Sequence, residues 1–291
     1  MRFLDVKTDF AFKKVFGSDN SKPILISFLN SIIEFEQGAK IQDLVIVDPY
    51  NIPMLLGMKD SYVDVKADLD NGSKVIIEMQ VLNHDCFEKR VLYNAAKNYS
   101  MQLVKGEAYH LLNPIIALTI VDFVMFEDYD KVISNFKLLE KKEFINYSDD
   151  LEMIFIELPK FNKELIDLVD IKDQWIYFIK NAGSLEFIPD HMASQVTSAF
   201  EISNTATLTP EESEIQYKRA EFNAINKGAL ALQLKQGIEQ GIEQGIEQGI
   251  GIGEQRGKIA MAKALISQGV SLDIIVAASG LSAKIITKLE V

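Results

Sequence analysis

The chain has 291 residues, 48% apolar and 25% charged, with a net charge of −12, an ordinary globular composition that excludes a wholly disordered protein. One cysteine, Cys86, excludes a disulfide scaffold and an all-cysteine metal cluster, and three histidines (His84, His110, His191) leave no HExxH pair. The longest strongly apolar run, Pro114 to Met125, is too short for a bilayer span of roughly 20 residues, and Met-Arg-Phe-Leu-Asp at the start has no signal-peptide apolar stretch, so the sequence reads as a soluble protein of a reducing cytoplasm.

Along the chain, Ile24, Leu25, Phe28, Leu29 and Ile32 fall at helical spacing and predict a helix over 22–36. Residues 42–48 read as a strand. Residues 61–69 and 73–82 read as two more, around the turn signal Asp70-Asn71-Gly72. Val91, Leu92, Ala95, Tyr99 and Leu103 predict a helix over 86–105, and Pro114 onward reads as a strand buried on both faces. The resulting order, α-β-β-β-α-β, describes an α/β core with a meander and a crossover helix. A further strand is expected near Met153 to Leu158, and helices over 162–204.

The turn fixes how the central hairpin aligns. A two-residue Asn71-Gly72 loop would set Asp64 opposite Met79, a carboxylate beside core side chains. A three-residue loop with Gly72 left-handed sets Val63 against Met79, Val65 against Ile77, Ala67 against Val75 and Asp68 against Lys74. Only this second register keeps both faces consistent. It also sets Asp64 opposite Glu78, with Cβ atoms roughly 5 Å apart. Either a divalent cation relieves that repulsion, or Lys66 and Lys74 neutralise a solvated face.

Taken together, these segments resemble a known family. Asp64, the hairpin and Ile77-Glu78-Met79-Gln80 look like a PD-(D/E)XK nuclease core. More narrowly, Asp9-Phe-Ala-Phe-Lys-Lys-Val-Phe-Gly, Leu25-Ile-Ser-Phe-Leu-Asn, Val63-Asp64-Val65-Lys66-Ala67, Arg90-Val-Leu-Tyr93 and Gln102-Leu-Val-Lys-Gly resemble the recombination-promoting nuclease / putative transposase family over about residues 5–125. The resemblance implies a restriction-endonuclease-like αβββαβ core with a mixed sheet, followed by an α-helical C-terminal region. It implies a Mg²⁺- or Mn²⁺-dependent DNA endonuclease, transposase-like and linked to recombination. Asp64, Glu78 and the backbone carbonyl of Met79 would hold the metal, with Asp64, Glu78 and Gln80 catalytic. The superfamily's lysine falls at Gln80, which hydrogen-bonds a water or phosphate oxygen but carries no charge. Lys66 either returns that charge or pairs with the acids. Asp9 either approaches the site or is an exposed acid at a helix start. Arg90 and Tyr93 either meet substrate phosphate or pack the helix. His84 and Cys86 read as loop residues rather than a nucleophilic pair. The rival to an enzyme is a catalytically degenerate nuclease fold that binds and oligomerises.

Charge bears on the DNA partner. Residues 1–110 hold 13 basic and 15 acidic side chains, residues 111–230 hold 11 and 21, and residues 231–291 hold 6 and 6. The acidity belongs to the middle of the chain, leaving the first third able to carry a local basic face.

The C-terminal third starts with a capping box, Thr209-Pro210-Glu211-Glu212. A Gln-Gly-Ile-Glu repeat follows, in which Ile238, Ile242, Ile246 and Ile250 overshoot a helical turn by about 0.4 residue at each step. It reads either as a Gly-x-x-x-Gly helix dimer or as a weak helical spacer. Residues 271–289 look like two short helices turning at Gly280, a DNA-reading helix-turn-helix or a packing knob. The expected organisation is a nuclease-like core over 1–160, a helical extension over 161–208 and a helical tail over 209–291. The expected partners are DNA and a second copy of the chain, and no membrane.

Overall fold

The computed structural model describes residues 1–35, 38–51 and 61–289. Two helices open the chain, α1 (Asp9–Phe16) and α2 (Lys22–Ile32). Strands β1 (Leu44–Val47), β2 (Tyr50–Asn51), β3 (Ser61–Tyr62), β4 (Val65–Leu69) and β5 (Lys74–Gln80) follow. Helix α3 (Phe87–Ser100) crosses over to β6 (Ile115–Val121), and β7 (Ile133–Leu139) and β8 (Asn146–Glu157) complete the strands. Helices α4 (Ile171–Asn181), α5 (Ser194–Ile202), α6 (Pro210–Ser267), α7 (Leu272–Ser279) and α8 (Ala283–Leu289) form the rest.

Six strands make a mixed sheet in the order β1-β4-β5-β6-β8-β7, and β2 pairs β3 separately. The β5–β6 and β6–β8 pairs are parallel, the others antiparallel. All seven residues of the central strand β6 are buried, as expected of a strand covered on both faces. β7 has no counterpart in the sequence reading. It lies at the sheet edge, where Phe136, Leu138 and Leu139 stay exposed and no inward face gives an apolar alternation.

The hairpin register is the expected one: Val65 faces Ile77, Ala67 faces Val75 and Asp68 faces Lys74. Gly72 has φ 88°, a left-handed conformation that costs glycine little, and the Leu69 N–H donates to Ser73 O at 2.9 Å across the three-residue loop. The first strand departs from expectation at its start. Ser61–Tyr62 pairs with β2, and the β4–β5 ladder ends at Val65–Ile77, so the Val63–Met79 and Asp64–Glu78 ladder pairs do not form. A bend at Asp64 reverses the alternation. Val63 packs with Ile76 and Ala95 under α3, whereas Val65 lies in the main core on the opposite face.

That main core joins helices the sequence reading had set apart. Trp175, Phe178 and Phe200 are fully buried with Phe12, Phe16 and Phe28. The Trp175 ring lies 5.8 Å from both Phe16 and Phe28, edge-to-face against the latter. The core is therefore not complete before Pro159; α4 and α5 supply one wall of it. The chain divides into two compact units, Met1–Ala224 and Ile225–Val291. This division differs from the expected breaks after 160 and 208, because α4, α5 and the first turns of α6 contact α1, α2 or one another.

The capping box forms: Thr209 N–H donates to Glu212 Oε2 at 3.0 Å, and Glu212 N–H donates to Thr209 Oγ1 at 3.2 Å. α6 then runs unbroken through the glycine repeat. In the second unit, Ala262 of α6 packs with Ile275, Leu281 and Ile286 around the turn at Gly280, φ 68°. Ile286 of α8 is fully buried in that cluster, packing that a knob and a DNA-reading helix pair would share. Among the described residues no helix is long and apolar enough to cross a membrane.

Candidate active site

Two acidic side chains lie where the hairpin leaves the sheet, near enough for the Asp64 charge to push the Glu78 carboxyl up. The bend brings the Asp64 carboxylate to the open end of β4, where its Oδ2 accepts the Met79 N–H at 2.8 Å. This is a side-chain bond and leaves the Cα register untouched; it satisfies an N–H that the shortened ladder would otherwise strand. N–H and C=O of one strand residue point to the same side, so the Met79 carbonyl also faces Asp64. Glu78, the next residue back on β5, points toward α3. Each of the two acidic side chains is 14% exposed.

Burial pushes the Asp64 carboxyl up from its ordinary range; the Met79 N–H and Lys13 pull it down, and the charge of Asp9 pushes it up again. Burial likewise pushes Glu78 up, against the pull of Arg90, and the Asp64 charge adds to the rise. Each carboxylate thus has one cation of its own. Lys13 Nζ lies 3.5 Å from Asp64 Oδ1, and Arg90 Nη2 donates to Glu78 Oε1 at 2.6 Å. The two acids still repel each other.

Around this pair the sequence candidates separate. Gln80 is adjacent, and both its polar groups are engaged: Oε1 accepts from Arg90 Nη2 at 2.6 Å, and Nε2 donates to Leu82 O at 2.8 Å. Each end of the amide thus holds one protein partner, leaving one N–H and one lone pair. Arg90 comes to the site, over the Phe87 ring at 5.0 Å. Tyr93, one turn further along α3, is 38% exposed, and Lys97 Nζ lies 5.9 Å from its ring centroid. Asp9 stands near enough to act on Asp64 and is itself paired with Arg219 of α6 at 3.4 Å. Lys66 lies off the site. It lines a cavity of about 560 Å³ with Asp48, Asp68, Lys74 and Asn98, and those acids, not Asp64, act on it. Cys86 is an exposed free thiol at the loop before α3.

Two site residues escaped the sequence reading. Lys13 falls four residues after Asp9 and Asn94 four after Arg90, spacings that place each on the same helix face as a residue already singled out. Asn94 Nδ2 reaches Glu78 Oε2 at 3.5 Å, and its Oδ1 is buried with no hydrogen-bond partner among the described residues.

Among the described residues no three His, Cys, Asp or Glu side chains gather as a metal-binding group. The oxygen set nevertheless fits a hard divalent cation that takes one or two carboxylates and completes its shell with water and phosphate. Asp64, Glu78 and the Met79 carbonyl supply oxygens, and the orphaned Asn94 Oδ1 is an acceptor beside them that still lacks a positive partner.

Searches of curated proteins and of solved structures return no match. A family model described as PD-(D/E)XK nuclease family transposase matches residues 6–230, which holds the hairpin, both acids, Gln80, α3 and the first turns of α6. With the αβββαβ order, the mixed sheet and a match over most of its length, the chain belongs to the PD-(D/E)XK nuclease family transposases.

Proposed function

We propose that this protein is a Mg²⁺- or Mn²⁺-dependent DNA endonuclease that hydrolyses phosphodiester bonds at Asp64 and Glu78 and thereby promotes recombination. The observation that carries this reading is the buried, mutually repelling pair of carboxylates at the sheet's open end. Such a pair weakens a fold unless a cation joins it. Asp64, Glu78 and the Met79 carbonyl would hold the ion, with Asn94 Oδ1 close by. When bound, it lowers the pKa of a water and offsets the charge that builds on phosphorus-bound oxygen. The chain's own part is orientation and charge. The Met79 N–H fixes the Asp64 carboxylate in one rotamer, Lys13 balances it, and Asp9 adds negative charge on the α1 side. Hydrolysis adds one water across the P–O bond, leaving a phosphate end and a hydroxyl end.

Assembly is the second part of the reading. Ile238, Ile242, Ile246 and Ile250 of α6 are each more than half exposed, and an apolar stripe on a long helix is covered when two copies associate. α6 is accordingly the oligomerising element.

The test is cleavage of supercoiled plasmid with Mg²⁺ or Mn²⁺, run beside Asp64→Ala and with chelator. Metal-dependent nicking lost in the variant supports the enzyme. A wild type that leaves plasmid intact with either metal, yet binds DNA, makes the protein a degenerate nuclease fold with a binding role.

A further inference from the structure

The nuclease pattern puts a lysine where this chain has Gln80, so β5 itself carries no cation beside Glu78 for a phosphate approaching the buried carboxylates. The structure holds a cation there from another element. Arg90 lies on the first turn of α3, and its Nη2 bridges Glu78 Oε1 and Gln80 Oε1, each at 2.6 Å. Gln80 is in turn anchored through Nε2 to Leu82 O. The amide at the lysine's position thus acts as a strut that holds a guanidinium.

Arg90 is not spent on these contacts. Both bonds use one nitrogen of the fork; Nε is buried and has no hydrogen-bond partner among the described residues, and 41% of the side chain is open to solvent. A guanidinium with donors to spare, always charged and shaped for oxyanions, is the side chain suited to phosphate.

We propose that Arg90 is the phosphate-binding cation of the site, in place of the missing lysine, and that Gln80 is its positioning residue. The proposal rests on the nuclease reading and specifies how the substrate's scissile phosphate is held. Of the other cations, Lys66 lines the separate cavity with Asp48 and Asp68, and Lys13 pairs with Asp64 on the α1 side, away from Glu78 and Gln80.

The test is binding of a labelled DNA duplex by fluorescence anisotropy over a salt series, in chelator and again with Ca²⁺. Each phosphate contact adds about 0.9 to the slope of log affinity against log salt, so between about 50 and 200 mM wild type should lose about 3.5-fold more affinity than a variant lacking the contact. Arg90→Gln keeps a donor for Glu78 and the fold, as a thermal melt checks, but should show the shallower slope. Adding Gln80→Lys to Arg90→Gln should restore the wild-type slope by returning the charge to the strand. If Arg90→Gln binds with the wild-type slope, or if Gln80→Lys gives no recovery, Arg90 is only the partner of Glu78 and the proposal falls while the nuclease reading stands. If wild type binds no DNA in either condition, the nuclease reading falls first and the role of Arg90 with it.

Discussion

Replacing Asp64 by Asn isolates the strain between the two acids. For two like charges taken to be on the order of 6 Å apart at an effective dielectric near 20, the repulsion is about 3 kcal/mol. Asn keeps an oxygen for the Met79 N–H, so that bond survives; the half-exposed Lys13 pair is lost, at a cost of about 0.5–1 kcal/mol. The metal-free variant should therefore be about 2–2.5 kcal/mol more stable than wild type at neutral pH, a rise of about 4–10 °C in Tm for a domain this size. The sign follows from the direction of the shifts. Asp64 and Glu78 both have folded values raised above the ordinary 3.8 and 4.5. Their contribution is present in acid and is lost as pH climbs through the raised values. The advantage of Asp64→Asn should thus vanish near pH 4 and grow above it. The metal response should go the other way. A ligand at a hundredfold excess over Kd stabilises the native state by about 2.7 kcal/mol, and the variant should lose this shift with Mg²⁺ and Mn²⁺. Thermal melts from pH 4 to 8, with and without metal, decide the matter. Parallel pH curves for the two proteins, or a full metal shift in the variant, would refute the argument that these carboxylates are the ligand set.

Other expected outcomes follow from the packing. Gln80→Ala should keep most of the metal-induced rise in Tm but lose cleavage, because Gln80 steadies Arg90 rather than the ion; a collapse of the metal shift in this variant would count against that division of labour. Trp175→Ala should cost about 3–5 kcal/mol in denaturant unfolding, since its ring is fully buried against Phe16 and Phe28; a loss under 1 kcal/mol would make α4 an appendage. A chain ending after Ala224 should fold and run at a smaller oligomeric size, whereas one ending after Leu208 also loses the Lys14–Glu212, Thr8–Gln216 and Asp9–Arg219 contacts and should melt lower. Gly241→Ala and Gly245→Ala should each stabilise α6 by about 1 kcal/mol, because an added Cβ at either position meets nothing within 4 Å; destabilisation, read by circular dichroism and light scattering, would reveal that the glycines form a close helix contact between copies.

The sequence by itself determined what depends on short-range rules. The period-two pattern and the left-handed demand at Gly72 fix the hairpin register from Val65–Ile77 to Asp68–Lys74. Thr209 and Glu212 fix the start of α6, and the unbroken apolar run fixes β6 as the central strand. Tertiary structure decided what depends on distant residues. The bend at Asp64 exists because Ser61–Tyr62 pairs with β2, and it turns the carboxylate to the strand end and throws Val63 to the other face. Lys13, Arg90 and Asn94 become site residues only because α1 and α3 pack against opposite faces of one sheet, bringing to the acids groups 51, 12 and 16 positions distant in sequence. The assignment of α4 and α5 to the core likewise waits on packing, since an amphipathic helix advertises an apolar face but not the surface that will cover it.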